Sequence, residues 1–491
     1  MQEFREMVDL VTNRLQKKIE IIDFSNTEQE QNLYVQLFKG IHSNEFSTDK
    51  AAATALYDTH EGDKKYLMLK SRLKERLINT FLFLDFEKKT DSELLSATQR
   101  ANKLYYATKL LASAGGKEST IFYAKNCLAI AQKFEFNDLI LSCSKILRLI
   151  YGDKGNTANY NKYVEMSEKA LFKIGFEEEA DILYQRVKID LVKTKASTDK
   201  ALALAEKNFK KLQSISKKAD SFNVDLAMYR TGLIYFQIAR KYREAINLCN
   251  EFEAYLASKP HFTFSERVGE LYVIRMSCYL TLKDYENGQK NAERSLVLFK
   301  AGMNNWFVML EYYFLLAMHT GNYKKAQEIF NIATNNERFK LQSDYHREQW
   351  TIFEAYVFYV NESSGRFNML KFLNNIPIFM KDKKGNYPAI LIAQIIHLYK
   401  SKKEDEAESR VESLRKNLKR YMNNQNAIRT ILFIKLLKKL NLRKVYKSGF
   451  EKKTAPLLKA LNEVEFDDPR NNDSFEVIPY ELLWELILKN S

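Results

Sequence analysis

Apolar residues along this chain recur at intervals of three and four. The clearest instance is GNYKKAQEIFNIA, residues 321–333. A Gly-Asn turn comes first, then an aromatic, Tyr323, then Ala326, Phe330 and Ala333 at i, i+4 and i+7. Those three positions share one face of a helix. An alanine there lets a second helix approach closely, and a phenylalanine between two alanines fills the space they leave. The preceding segment, WFVMLEYYFLLAMHT (306–320), is apolar on nearly every side, as in a helix buried between neighbours. The pattern predicts a hairpin: a first helix over 306–320, a turn at Gly321 and Asn322 with Tyr323 covering the joint, and a second helix whose inner face is Ala326, Phe330 and Ala333.

Similar punctuation recurs. LKDYENGQKNAERSL (282–296) has Gly288 in the place of Ala326, and RKYREAINLCNEF (240–252) has Ala245. Upstream, the corresponding positions are read as Ala124, Tyr163 and Ala201; downstream, as Leu370 and Ala407. The eight anchors are 37 to 44 residues apart. Two helices per unit, repeated at that period, describe an all-α, right-handed solenoid of about eight helix pairs.

The turn–aromatic–Ala–Phe–Ala arrangement resembles a tetratricopeptide repeat. The resemblance spans about 105–414, closest over 307–333. These units are longer than the family's usual 34 residues. The small residue the family places in the first helix survives as Gly232 and is replaced by Met276 and Phe314, which implies first helices set slightly further from their partners. The resemblance also implies a concave surface lined by first helices, whose fifth position points inward. Counted back from Ala124, Tyr163 and Ala201, those positions are Lys109, Arg148 and Arg186. Basic residues there clamp a peptide's carboxylates in the family. The asparagines that accompany them are missing, since the ninth positions are Ser113, Gly152 and Asp190.

The domain organisation expected is an N-terminal helical region over 1–104, a repeat array over 105–424, and basic helices with a cap over 425–491. The first region predicts helices near 2–22, 28–43, 48–57 and 63–85. Within it, STDKAAATALYDTHEGDKKYLMLKSRLKERL (47–77) has the outline of a helix-turn-helix, a short Ala-rich helix followed by a basic one. It resembles the winged-helix part of bacterial transcription regulators that carry a tetratricopeptide-like domain behind it. On that reading Lys70, Arg72, Lys74 and Arg76 face DNA. However, Leu69, Leu73, Leu77 and Phe81 also form an ordinary core stripe, and no wing hairpin is evident. At the other end, NAIRTILFIKLLKKLNLRK is an amphipathic basic helix with Lys435, Lys438, Lys439, Arg443 and Lys444 as further candidates for nucleic-acid contact. FDDPRNNDSFEV (466–477) reads as a polar linker, and PYELLWELIL (479–488) as a helix opened by proline that caps the last unit.

Composition narrows the class. Gly (15) and Pro (6) fall well below the roughly 34 and 25 of an average chain this long, which disfavours hairpin-rich β folds. The net charge of +15 is concentrated: residues 410–459 hold fifteen Lys and Arg against Glu412 and Glu451. Cys127, Cys143, Cys249 and Cys278 are scattered, without a CxxC pair, and read as small core residues in a reducing compartment. No apolar run suits a signal peptide or a membrane span, so a cytoplasmic location is expected.

Catalytic motifs are not apparent. SAGGKEST (113–120) would need its first glycine at 111, which is leucine, so it reads as a turn between helices. The six histidines never fall in metal-ligand spacing. DYHREQW (344–350) gathers Asp344, His346, Arg347 and Glu348 and reads as a hydrogen-bonded helix end. The expectation is a non-enzymatic scaffold, without cofactor or metal, that binds a protein or peptide partner of acidic character. The alternative is a DNA- or RNA-binding regulator.

Overall fold

The computed structural model describes residues 32–490 apart from 44, 84–92, 195–198, 362–367, 377–386, 422–427, 441–446 and 465–475. Among these residues the protein is all-α, with twenty-one α-helices, two short 3-10 turns and no strand. The chain divides into two units, Met1–Leu171 and Phe172–Ser491.

The first unit begins with three helices, α1 (Leu33–His42), α2 (Asp49–Tyr57) and α3 (Lys64–Phe83). Their positions match the pattern read at 28–43, 48–57 and 63–85; the helix expected at 2–22 lies outside the described residues. Asn32 and Thr48 cap α1 and α2 with side-chain oxygens that accept from Tyr34 N and Ala51 N, which satisfies donors that a helix start leaves open. Tyr66, Leu69 and Leu73 of α3 share one face and bury against Leu37, Ala52 and Ala53. Next come α4 (Glu93–Ser113), α5 (Lys117–Lys133), α6 (Asn137–Asp153) and α7 (Thr157–Thr194), of which the larger part, from Phe172 on, belongs to the second unit. SAGGKEST is the α4–α5 turn. Ala124, Cys127, Leu128 and Ala131 of α5 form the core here with Cys143 and Leu147 of α6. Tyr163 is buried and stacks on Tyr151, with ring centroids 5.7 Å apart. The large ring thus takes up space that an alanine would leave to a closer helix.

The second unit continues α7 and adds α8 (Asp199–Ala219), α9 (Phe222–Ile238), α10 (Tyr242–Ser258), α11 (Ser265–Thr281), α12 (Tyr285–Leu298), α13 (Asn304–His319), α14 (Tyr323–Thr334), α15 (Asp344–Val360), α16 (Met369–Asn374), α17 (Tyr387–Lys400), α18 (Glu404–Tyr421), α19 (Ile428–Leu437), α20 (Lys447–Glu463) and α21 (Tyr480–Asn490). Packing is mostly between sequence neighbours: α8 on α9, α11 on α12, α13 on α14, α17 on α18. One large core runs from Tyr272 to Ile487. α13 buries thirteen of its sixteen residues, which explains its nearly uniform apolarity.

One turn geometry recurs. A residue in the left-handed region precedes the N-cap of the next helix at Gly115, Glu135 and Gly155 in the first unit, and at Asp220, Arg240, Lys283, Gly302, Gly321 and Lys402 in the second. In seven of these turns, Asp220 and Gly302 being the exceptions, the N-cap N–H also closes the preceding helix, as when Asn322 N donates to Ala317 O at 2.9 Å. Only four of the nine residues are glycine, so the turn is mostly hidden in the sequence. Five residues after it stand Ala245, Gly288, Ala326 and Ala407, all buried, as the anchor spacing predicts. In the first unit the same count gives Thr120 and Tyr160 in place of Ala124 and Tyr163. The helices there begin earlier than those anchors imply.

Three other expectations are corrected. Leu370 is 75% exposed: α16 is a single six-residue piece capped by Asn368, and it buries Phe372 and the following Ile376 instead. α7 runs unbroken for 38 residues, where the repeat period predicts two helices; nothing within 4 Å of a Cβ at Gly175 forces a break. The end of the expected polar linker is not solvated, because Glu476 and Val477 are buried, while 466–475 lie outside the described residues.

Candidate functional site

Lys109 is exposed on α4, with its Nζ 5.9 Å from the Tyr105 ring centre. Asn102, Lys103, Tyr106 and Leu110 share that exposed face. Arg148 is half-buried on α6, between exposed Lys145 and Leu149. α4 packs on α6 as well as on α5, so these two helices are neighbours. Together they present four cations beside three solvent-facing apolar side chains, Tyr106, Leu110 and Leu149. In the second unit, Arg186 is exposed on α7 between Ile182 and Ile189, both about half exposed. Counted from the shared turn, the positions equivalent to the expected cations on α4 and α6 are Tyr105 and Lys145, four and three residues earlier than Lys109 and Arg148.

The basic helix α3 is differently committed. Lys70 Nζ bonds both oxygens of Asp49, at 2.7 and 2.8 Å, and Asp49 also accepts from the Tyr66 hydroxyl at 2.7 Å. The hydrogen bonds from Lys70 and Tyr66 hold the Asp49 carboxyl below its usual range, while burial and Asp49 push the Tyr66 hydroxyl up to about 12. Asp49, Tyr66 and Lys70 sit on the wall of a pocket of about 360 Å3 with Leu37, Phe46 and Leu73. The Arg76 guanidinium lies 4.0 Å from the Tyr34 ring centre. Arg72 and Lys74 are exposed.

In the basic C-terminal stretch, Lys435 is exposed, Lys438 bonds Glu412 at 3.2 Å, and Lys439 is half-buried. Arg443 and Lys444 lie outside the described residues. Sequence reasoning missed the strongest polar feature of the second unit, centred on Arg429. Its Nε and Nη2 form a two-pronged bond to Glu476 at 2.6 and 3.1 Å, Nη2 also meets Glu481, and Nη1 donates to the Leu461 and Val464 carbonyls. His319 Nε2 donates to the Glu476 carbonyl at 3.0 Å, and Lys283 pairs with Glu481 at 3.0 Å. The network ties the segment before α21 to α13, α19 and the α11–α12 turn. The available signal was a lone arginine inside an apolar run, AIRTILFI. Its partners are 47 and 52 residues away.

DYHREQW is a helix start. Ser343 caps it, Arg347 pairs with Asp344, and His346 Nδ1 meets the buried Glu311 carboxylate at 2.7 Å. The four cysteines are all buried. Among the described residues no cluster of His, Cys, Asp or Glu could hold a metal ion, and no helix is long and apolar enough to cross a membrane. Comparison with known families, characterised proteins and solved structures returns no match.

Proposed function

We propose that this chain is a non-enzymatic binding scaffold: a right-handed, tetratricopeptide-like array of about eight helix pairs that holds an acidic protein or peptide segment. The supporting observation is the surface of α4 and α6. Four cations stand there beside Tyr106, Leu110 and Leu149, apolar side chains that a folded protein ordinarily covers when they gather on neighbouring helices. A segment that alternates carboxylates with apolar anchors complements that surface, and helical repeats present such faces without disturbing the stack beneath. Within the second unit, Arg186 between Ile182 and Ile189 on α7 separately shows the same combination of a cation with exposed apolar side chains. The left-handed turns at Arg240, Lys283, Gly321 and Lys402, each with a buried Ala or Gly five positions on, support the repeat reading.

The test is affinity capture from the native host with the wild-type chain and with K109E/R148E/R186E. The variant should melt within a degree or two of wild type, because all three side chains lie wholly or partly in solvent. Acidic partners retained by the wild type should be absent from the variant's eluate. Identical sets of captured proteins would overturn the proposal.

A second reading is favoured by one observation, the separate core of α1–α3 behind a helix that exposes Lys64, Lys65, Arg72 and Lys74. Such a module suits DNA or RNA. Filter binding at low salt would show retention that falls by about 0.9 log units per phosphate contact per decade of salt. An absence of retention removes this reading.

A further inference from the structure

A pocket of about 300 Å3 opens in the second unit between the α12–α13 loop and the short 3-10 turn Glu337–Leu341. Lys300, Met303 and Asn304 line it on one side, and Arg338, Leu341 and Gln342 on the other. No carboxylate lines it. Neither cation has an ion-pair partner among the described residues; Arg338 Nη1 donates only to the Met303 sulfur, at 3.3 Å, a weak acceptor. Lys300 and Arg338 are both exposed along the pocket's lining, and an anion bound there would supply the counter-charge that the lining lacks.

The rest of the lining favours an organic anion over a bare one. Met303 and Leu341 are exposed at 41% and 73% and give the pocket an apolar flank. Gln342 is more than nine-tenths buried, and its Nε2 donates to Asn304 Oδ1 at 3.3 Å, so the two loops are fixed to each other across the floor. α13 also begins here. Its N-cap residue, Met303, makes no side-chain capping bond, and its first turn holds no acid, which adds partial positive charge on the same side. That helix end reinforces the site, but the site itself rests on the unpaired side-chain cations and the pocket that contains them.

We propose that this pocket binds a small organic anion, with one carboxylate or phosphate group between Lys300 and Arg338 and an aromatic or aliphatic body against Met303 and Leu341. The volume is at the lower end of the range for small-molecule sites. The site is independent of the surface on α4 and α6, and the absence of binding at either would leave the other standing.

Calorimetric titration of the full chain tests it with four probes: phenyl phosphate, benzoate, inorganic phosphate and benzyl alcohol. The expected result is that phenyl phosphate or benzoate binds about tenfold or more tightly than both inorganic phosphate and benzyl alcohol, since only the first two combine charge with an apolar body. Comparing the two aryl anions distinguishes phosphate from carboxylate preference. K300Q and R338Q should each weaken the preferred probe by about tenfold, and the double variant should abolish binding with an unchanged melting point. L341S should weaken the aryl anion but not inorganic phosphate. The proposal is overturned if benzyl alcohol binds as well as the anions, if neither aryl anion binds at millimolar concentration, or if K300Q/R338Q binds like the wild type.

Discussion

The α13–α14 hairpin and the C-terminal helices α19–α21 share one hydrophobic core, yet they are held in it differently. The hairpin is joined by the three residues Thr320, Gly321 and Asn322, and its apolar core residues lie within a few dozen positions of each other: Leu310, Phe314 and Leu316 with Ala326, Ile329 and Ala333. At the C-terminal helices, apolar packing is supplemented by a buried guanidinium with two carboxylates, a hydrogen bond received from His319 at the end of α13, and an ion pair between Lys283 and Glu481, 198 residues apart. Apolar packing tolerates small errors in shape, whereas a buried charge lacking one partner is left in a medium that cannot solvate it. The C-terminal end should therefore respond to substitution more sharply than the hairpin.

The largest effect is expected at Arg429. R429A leaves the Glu476 and Glu481 carboxylates facing a void and should cost about 3–5 kcal/mol. Replacing all three charges together, as R429M/E476Q/E481Q, should recover much of that loss. Denaturant melts of the two variants check this; equal destabilisation by both would mean that the network's charges are not what holds α21.

The core that both regions share should be acid-sensitive. Burial, the largest effect, lowers His319 to about 4 against a hydrogen bond to the Glu476 carbonyl, and burial likewise lowers His397 to about 4 on α17. Both folded values lie below the ordinary value near 6.5, so between 6.5 and 4 the unfolded chain binds a proton that the folded chain refuses. Stability is then lost as pH falls through that window and is fully present above it. Each histidine should cost on the order of 2 kcal/mol between pH 7 and pH 5. H319N and H397N should each flatten the measured slope of stability against pH, and an unchanged slope in both would exclude these groups as its source.

Legibility from sequence follows the same division. The helices α1–α3, the α13–α14 hairpin and the anchors Ala245, Gly288, Ala326 and Ala407 were readable because each depends on residues a few positions apart. Register was readable at Gly321, where a glycine marks the left-handed turn. It slipped at Ala124 and Tyr163, because Gly115 and Gly155 stand four and three residues further from those anchors than Gly321 does from Ala326. At Arg240, Lys283 and Lys402 the same conformation is adopted by residues that give no sign of it. The long α7 was missed because periodicity cannot distinguish one helix from two laid end to end without a breaker. The Arg429 network and the Lys300–Arg338 pocket were invisible, since both join segments that only the fold brings together.

The smallest effects sharpen the contrast within the repeat pattern itself. Ala326 and Leu370 hold the same nominal place, yet one is fully buried and the other is 75% exposed. A326L must fit three more carbons between α13 and α14, where Phe314, Leu316 and Ile329 already pack, and should cost roughly 1–3 kcal/mol. L370A removes the same three carbons from solvent on a six-residue helix and should change stability by less than about 0.5 kcal/mol. The neighbouring F372A removes a buried ring from that same helix and should cost about 3 kcal/mol. Thermal or denaturant melts of the three single variants test the assignment directly. If L370A were the costly one and F372A neutral, α16 would be turned by about half a revolution from its described position, and the expected anchor at 370 would be restored.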